Sequence, residues 1–142
     1  MSDEDTTSKE LRVSAQLEAW PEVLSFLEEV CASCGFSRKA IQELTLASEE
    51  IFVNIAHYAY PGASGEVHVA TSWQKEENLL HLLFEDSGIP YDPLAAQEPD
   101  LTLPASERPI GGLGILLAKR LTDRQAYSRQ DGQNRLELWK HA

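Results

Sequence analysis

The stretch Leu44 to Tyr60, LTLASEEIFVNIAHYAY, constrains the fold more than any other part of the chain. Set out at ~100° per residue, it forms a helix with two unlike sides. Ile41, Leu44, Ser48, Ile51, Phe52, Ile55 and Ala59 fall on one side; Glu43, Glu50, Asn54 and His57 fall on the other, flanked by Leu46 and Val53. A solvated helix face is broad and uniformly polar. Here the polar strip is narrow, so the helix must pack along its apolar side and leave Glu50 and Asn54, one turn apart, as the floor for a polar ligand.

The flanking segments give the helix its partners. Glu10 to Leu17 alternates Leu11, Val13, Ala15 and Leu17 with polar residues, a strand pattern. Trp20-Pro21 starts a helix with proline suited to its first position, and Val23, Leu24, Leu27, Val30 and Cys31 form its apolar face. Gly35 ends that helix, and Ser37 caps the next, which runs through the opening stretch and stops before Pro61-Gly62. Val67, Val69, Thr71 and Trp73 then alternate with polar or small residues, Lys75 to Asn78 forms a turn, and Leu79 to Asp86 returns as an apolar strand. Leu80, Leu82, Phe84 and Asp86 share one face of it, so a carboxylate stands at the end of an apolar row. Such a group needs a donor from protein, water or ligand.

Ser87 to Ile110 is a long connection with prolines at 90, 93, 99, 104 and 109, the length of a functional lid or a disordered segment. Gly111-Gly112-Leu113-Gly114 leads into a helical run, Ile115 to Leu121. Gln125 to Gln130 and Arg135 to Lys140 close the chain as two strands around Asp131-Gly132. Residues 1–9 read as a disordered acidic tail and residues 10–142 as a single domain, large enough at this length to bury a sizeable core.

Charge and composition narrow the partners. A net charge of −11 disfavours nucleic acid and anionic membranes as partners, but leaves room for a nucleotide whose phosphates reach the protein through Mg²⁺. No apolar run approaches the ~20 residues of a membrane span, and the acidic start is unlike a signal peptide, which points to the cytoplasm. Cys31 and Cys34 form a C-x-x-C near a helix end, where the dipole does not lower a thiol pKa, and no second pair completes a zinc site. They read as two reduced, partly buried thiols. His68 and His81 lie on separate strands and read as structural, and Lys119 and Arg120 as surface charges.

Three pieces remain: Glu50-x-x-x-Asn54 on a helix; Asp86-Ser87-Gly88-Ile89-Pro90 at a strand end, continued by Tyr91-Asp92-Pro93; and Gly111-Gly112-Leu113-Gly114 at a helix start. Each is common alone, but their order and spacing are specific. Together they resemble the Bergerat-fold (GHKL) ATP-binding domain, most closely its branch of anti-sigma-factor serine kinases of the RsbW and SpoIIAB type. Asn54-Ile55-Ala56-His57-Tyr58-Ala59-Tyr60 and the run Gly114 to Asp123 add to the likeness. Neither a G-x-x-x-x-G-K-[ST] loop nor a G-x-G-x-x-G run is present, which removes the commonest competing nucleotide folds.

The resemblance implies a two-layer α/β sandwich, a mixed and largely antiparallel sheet with helices on one face. It implies ATP between the layers under Leu94 to Ile110, Mg²⁺ on Asn54, the adenine amine on Asp86, close backbone approach to the base at Gly88, phosphates on the N–H groups around Gly112 and Gly114, and Glu50 as general base. His57, one turn after Asn54, reads as a structural histidine at the helix end or a residue near the phosphates, and Arg108 at the lid's end as a solvated loop arginine sooner than a γ-phosphate contact. In this branch the attacking group is a serine hydroxyl of a partner, a STAS-type anti-sigma antagonist, and a sigma factor is a further partner; many members are homodimers. Several members carry an arginine on the first helix where partners bind, whereas Trp20 to Glu29 has no basic residue and is rich in acid. The same pocket would equally serve a nucleotide-dependent binding module with little phosphoryl transfer, or a simple ATPase.

Overall fold

A computed structural model describes residues 6–92 and 118–142. Five strands form one sheet in the order β1-β2-β3-β5-β4, with every described pairing antiparallel. In chain order these are β1 (Thr6–Ser14), α1 (Trp20–Ser33), α2 (Arg38–Tyr58), β2 (Glu66–Gln74), β3 (Leu79–Asp86), β4 (Arg124–Gln130) and β5 (Gln133–His141), with a short 3₁₀ turn at Leu17–Ala19. The end of a further helix occupies 118–121.

Local chemistry accounts for the breaks. Pro21 sits in the first turn of α1, and Gly35 lies just past its end at φ 79°. The Phe36 N–H donates to Cys31 O at 3.0 Å and the Gly35 N–H to Ala32 O at 3.2 Å, a Schellman closure with Phe36 buried. Ser37 Oγ accepts from Ala40 N at 3.1 Å and opens α2. The β2–β3 turn uses Asn78 at φ 55°, and the β4–β5 turn uses Asp131 and Gly132 at φ 52° and 77°, the paired positive angles of a tight hairpin.

Parity then builds the core. Val67, Val69 and Thr71 of β2 lie opposite Asp86, Phe84 and Leu82 of β3, which in turn lie opposite Asn134, Leu136 and Leu138 of β5. All of these side chains are buried, and the apolar ones join Val23, Leu27, Val30, Leu44, Ile51 and Phe52 in one cluster. Both helices therefore cover one face of the sheet. The other face is mostly polar: His68 stands 3.2 Å from Glu85, which also pairs with Arg135, and His81 stands 2.7 Å from Glu137. Both histidines are thus structural, as expected.

Two expectations about β1 need correction. The strand begins at Thr6, so residues 6–9 belong to the sheet and not to a disordered tail, and it ends at Ser14 rather than Leu17. Its pairing with β2 runs from Thr6↔Gln74 to Ser14↔Glu66. Backbone pairing to an edge strand needs no hydrophobic alternation, so residues 6–9 carried no signal. Beyond Ser14 the Ala15 N–H still reaches Gly65 O at 2.9 Å, but the chain then turns into the 3₁₀ segment, leaving Leu17 47% exposed.

Candidate functional site

Between the C-terminal half of α2 and the β3–β5–β4 part of the sheet lies a small cleft with about 30 Å³ of free volume. Ile51, Asn54, Ile55 and Tyr58 of α2 form one wall; Phe84, Asp86, Tyr127, Asn134 and Leu136 form the other; Ala59, Ile89 and Tyr91 complete it. The Tyr58 and Tyr91 rings lie 6.2 Å apart at 34°. Burial, then the neighbouring Tyr58 and Asp92, raises the Tyr91 phenol above its ordinary range.

Asn54 is the most telling residue. It is 5% exposed, yet among the described residues neither Nδ2 nor Oδ1 has a hydrogen-bond partner. Helix geometry explains its burial. Ala40 and Ala47 are buried as well, and they widen the buried arc of α2 until it reaches Asn54. Glu50 lies just beyond that arc and is half-buried. It is one turn before Asn54 but does not line the cleft, and it makes no hydrogen bond or ion pair among the described residues. Glu43, on the same strip, is engaged with Lys140 at 3.4 Å, and His57 is exposed at the helix end.

Asp86 sits at the end of the apolar row of β3, 6% exposed. Its Oδ1 accepts from Gly88 N at 2.9 Å and from Asn134 Nδ2 at 3.0 Å. Oδ2 has no partner among the described residues. The turn that follows is pinned at several points. Ser87 N donates to the Tyr60 hydroxyl at 2.8 Å, Ile89 N to Ala59 O at 2.8 Å, and Arg129 Nη1 to Gly88 O at 2.8 Å. Burial raises the Tyr60 phenol, which itself donates to Glu66 O at 2.7 Å.

Packing within the protein requires a glycine at position 88. A Cβ there would lie 2.1 Å from Ala59 O and 2.6 Å from the Ala59 Cβ. The close approach is to the end of α2, and it draws the Asp86 turn against that helix.

The structure thus puts Asn54 and Asp86 in the lining of one cleft, with Gly88 in the turn after Asp86, while Glu50, one turn before Asn54, is outside the lining. Gly112, Gly114, Arg108 and the connection Leu94 to Ile110 lie outside the described residues. Among the described residues no group of three or more His, Cys, Asp or Glu side chains converges as a metal site. The Asn54 side-chain oxygen, buried and unused, nevertheless suits a hard cation that takes its other ligands from water and phosphate. Cys31 and Cys34 are free, and burial raises both thiols, Cys31 to about 12.

Tyr127 and Asn134 were not singled out from the sequence. A signal existed: in Asn134-x-Leu136-x-Leu138 the asparagine continues an apolar row, the same anomaly that marked Asp86.

A Bergerat-type nucleotide-binding domain is the class of protein that this sheet, helix pair and cleft define. The chain belongs to the histidine kinase-like ATPase domain family, whose model matches residues 13–140, and within it is of the RsbW-like kind. It is 30% identical over 121 residues to a serine-protein kinase RsbW of Listeria monocytogenes, covering 79% of this chain and 76% of the relative. A serine-protein kinase RsbW of Listeria innocua is 29% identical over the same coverage. A solved structure of the RsbU and RsbW domains of a Mycobacterium tuberculosis protein superposes with a TM-score of 0.67 at 17% identity. It covers 95% of this chain, which spans only 32% of that one, and it bears on the fold alone. No described helix is long and apolar enough to cross a membrane.

Proposed function

We propose that this chain is an ATP-dependent serine-protein kinase that phosphorylates a STAS-type anti-sigma antagonist, acting as a cytoplasmic regulator built on one domain that begins with β1 at Thr6. The observation that carries the proposal is the Asn54 amide, buried, with both polar atoms unpartnered among the described residues, and lining the same cleft as Asp86. A buried amide left unsatisfied costs about 1–3 kcal/mol, a penalty that ligand binding at that atom relieves. The relatives' designation as serine-protein kinases gives the reaction class.

In this reading Asp86 Oδ2 accepts from the adenine exocyclic amine. Tyr58, Ile55, Phe84 and Leu136 enclose the base, and Gly88 keeps the turn close to α2. Asn54 holds Mg²⁺ through Oδ1, and the ion when bound neutralises phosphate charge. The N–H groups around Gly112 and Gly114 receive the phosphates. A serine hydroxyl of the partner attacks the γ-phosphorus, Glu50 takes its proton, and ADP leaves with the electron pair of the broken P–O bond. Two observations support that role: Glu50 is half-buried, and it is unpaired among the described residues, one turn before Asn54.

The position of Glu50 outside the cleft lining also favours weighing a second reading, a nucleotide-dependent binding module with little phosphoryl transfer. One experiment separates the two. The protein is incubated with γ-labelled ATP, Mg²⁺ and a candidate STAS domain, as wild type and as Glu50→Ala. The expected result is label on a partner serine, with transfer reduced ~10²- to 10⁴-fold in the variant while nucleotide binding persists. Equal transfer by both removes Glu50 as the base; no transfer by wild type, with ATP bound, selects the binding module.

A further inference from the structure

Asn134 has the most completely used side chain in the cleft. Its Nδ2 donates to Asp86 Oδ1 at 3.0 Å and to Ile89 O at 2.7 Å. Its Oδ1 accepts from the Tyr127 hydroxyl at 2.5 Å and from Tyr91 N at 3.3 Å. An amide offers two donor and two acceptor positions, so nothing is left over. Nor can the amide turn over. A flipped group would set NH₂ against the Tyr91 N–H and oxygen against the Ile89 carbonyl, and both of these backbone groups have fixed polarity. Asn134 is therefore locked in the orientation that presents a donor to Asp86.

The lock decides what Asp86 can do. Oδ1 already accepts from Gly88 N and from Asn134, while Oδ2 has no described partner. The carboxylate cannot rotate to exchange its oxygens without breaking both bonds. We infer that Asn134, braced by Tyr127, is a specificity-determining positioning residue. It commits Asp86 Oδ1 to the protein and offers Oδ2 alone to the cleft, so the site selects a base that donates from an exocyclic amine and rejects one bearing a keto oxygen there. The inference rests on the nucleotide reading above and deepens it. Tyr127 reaches Asn134 from β4, Asp86 from β3, and Ile89 and Tyr91 from the following turn, so a single side chain ties three segments to one carboxylate orientation.

The test compares ATP with inosine triphosphate, which differs in carrying a keto oxygen where adenine has its amine. Affinities for both, with Mg²⁺, are measured by calorimetry for wild type, Asn134→Ala and Tyr127→Phe. Wild type is expected to prefer ATP strongly. Asn134→Ala should lose at least about tenfold of that ratio, the worth of one charge-assisted hydrogen bond. Tyr127→Phe, which leaves Asp86 untouched, should lose a smaller part of it in the same direction. Should Asn134→Ala fail to fold, Tyr127→Phe alone carries the test. A variant that weakens both nucleotides equally, leaving the ratio unchanged, overturns the positioning role while nucleotide binding stands. Wild type that binds neither nucleotide overturns the nucleotide reading and this inference with it.

Discussion

Asn54→Leu should make the nucleotide-free protein more stable while abolishing its response to nucleotide. Asn54 is 5% exposed with two polar atoms unpaired among the described residues, next to Ile51 and Ile55 in the cleft wall. Ser48, on the same helix, is the contrast: it is fully buried, but its hydroxyl donates to Leu44 O at 2.7 Å. Leucine has the same branched four-atom skeleton as asparagine, with bulkier methyl ends that can extend into the cleft and no polar atom, so the exchange removes the desolvation penalty of about 1–3 kcal/mol and adds apolar burial. For a chain of this size ~1 kcal/mol moves Tm by about 3 °C, so Tm should rise by roughly 3–9 °C without nucleotide. Wild type at saturating ATP and Mg²⁺ should gain about 2.7 kcal/mol at a hundredfold excess over Kd, and the variant should gain none. Thermal melts with and without nucleotide, backed by urea titration, read both effects. An Asn54→Leu protein that melts below wild type would refute the idea that this amide is kept for a ligand. So would a variant that keeps the full nucleotide shift.

Gly88→Ala should cost about 1–3 kcal/mol in urea unfolding, because its Cβ would collide with the Ala59 carbonyl and force the Asp86 turn from α2; an unchanged midpoint would show that the turn yields freely. Burial lifts the Cys31 thiol from about 9 to about 12, so the folded state keeps a proton that the unfolded chain releases as pH rises through that interval. Stability should therefore fall by ~1.4 kcal/mol per pH unit from this group above pH 9, with Cys34, Tyr60 and Tyr91 adding in the same direction. Cys31→Val should flatten the alkaline slope by about one proton; parallel slopes for the two proteins would show that Cys31 does not set it.

What could be read without coordinates was local. Pro21, Gly35 and Ser37 mark helix ends through φ preference and capping, and Asn78, Asp131 and Gly132 mark turns because they tolerate positive φ. Alternation in Leu80-x-Leu82-x-Phe84-x-Asp86 placed a carboxylate on a buried face, and helical periodicity put Glu50 and Asn54 one turn apart. Each of these depends only on a residue and its near neighbours in the chain.

Tertiary structure decided the rest. Periodicity placed Asn54 opposite the core stripe, and only the packing of Ala40 and Ala47 brought it inside while leaving Glu50 at the margin. Gly88 reads as a turn glycine until the end of α2 is seen against it. Asn134 meets Asp86 across 48 residues, and that meeting exists only because β3 and β5 pair with Asp86 opposite Asn134. Strand register is a long-range quantity: one residue of slip would turn Asn134 to the outer face. The sequence by itself therefore determined the element boundaries and marked polar side chains on otherwise apolar rows, through local periodicity and backbone preference. Only the assembled sheet decided which of them share a cleft, and which of their atoms are left for a ligand.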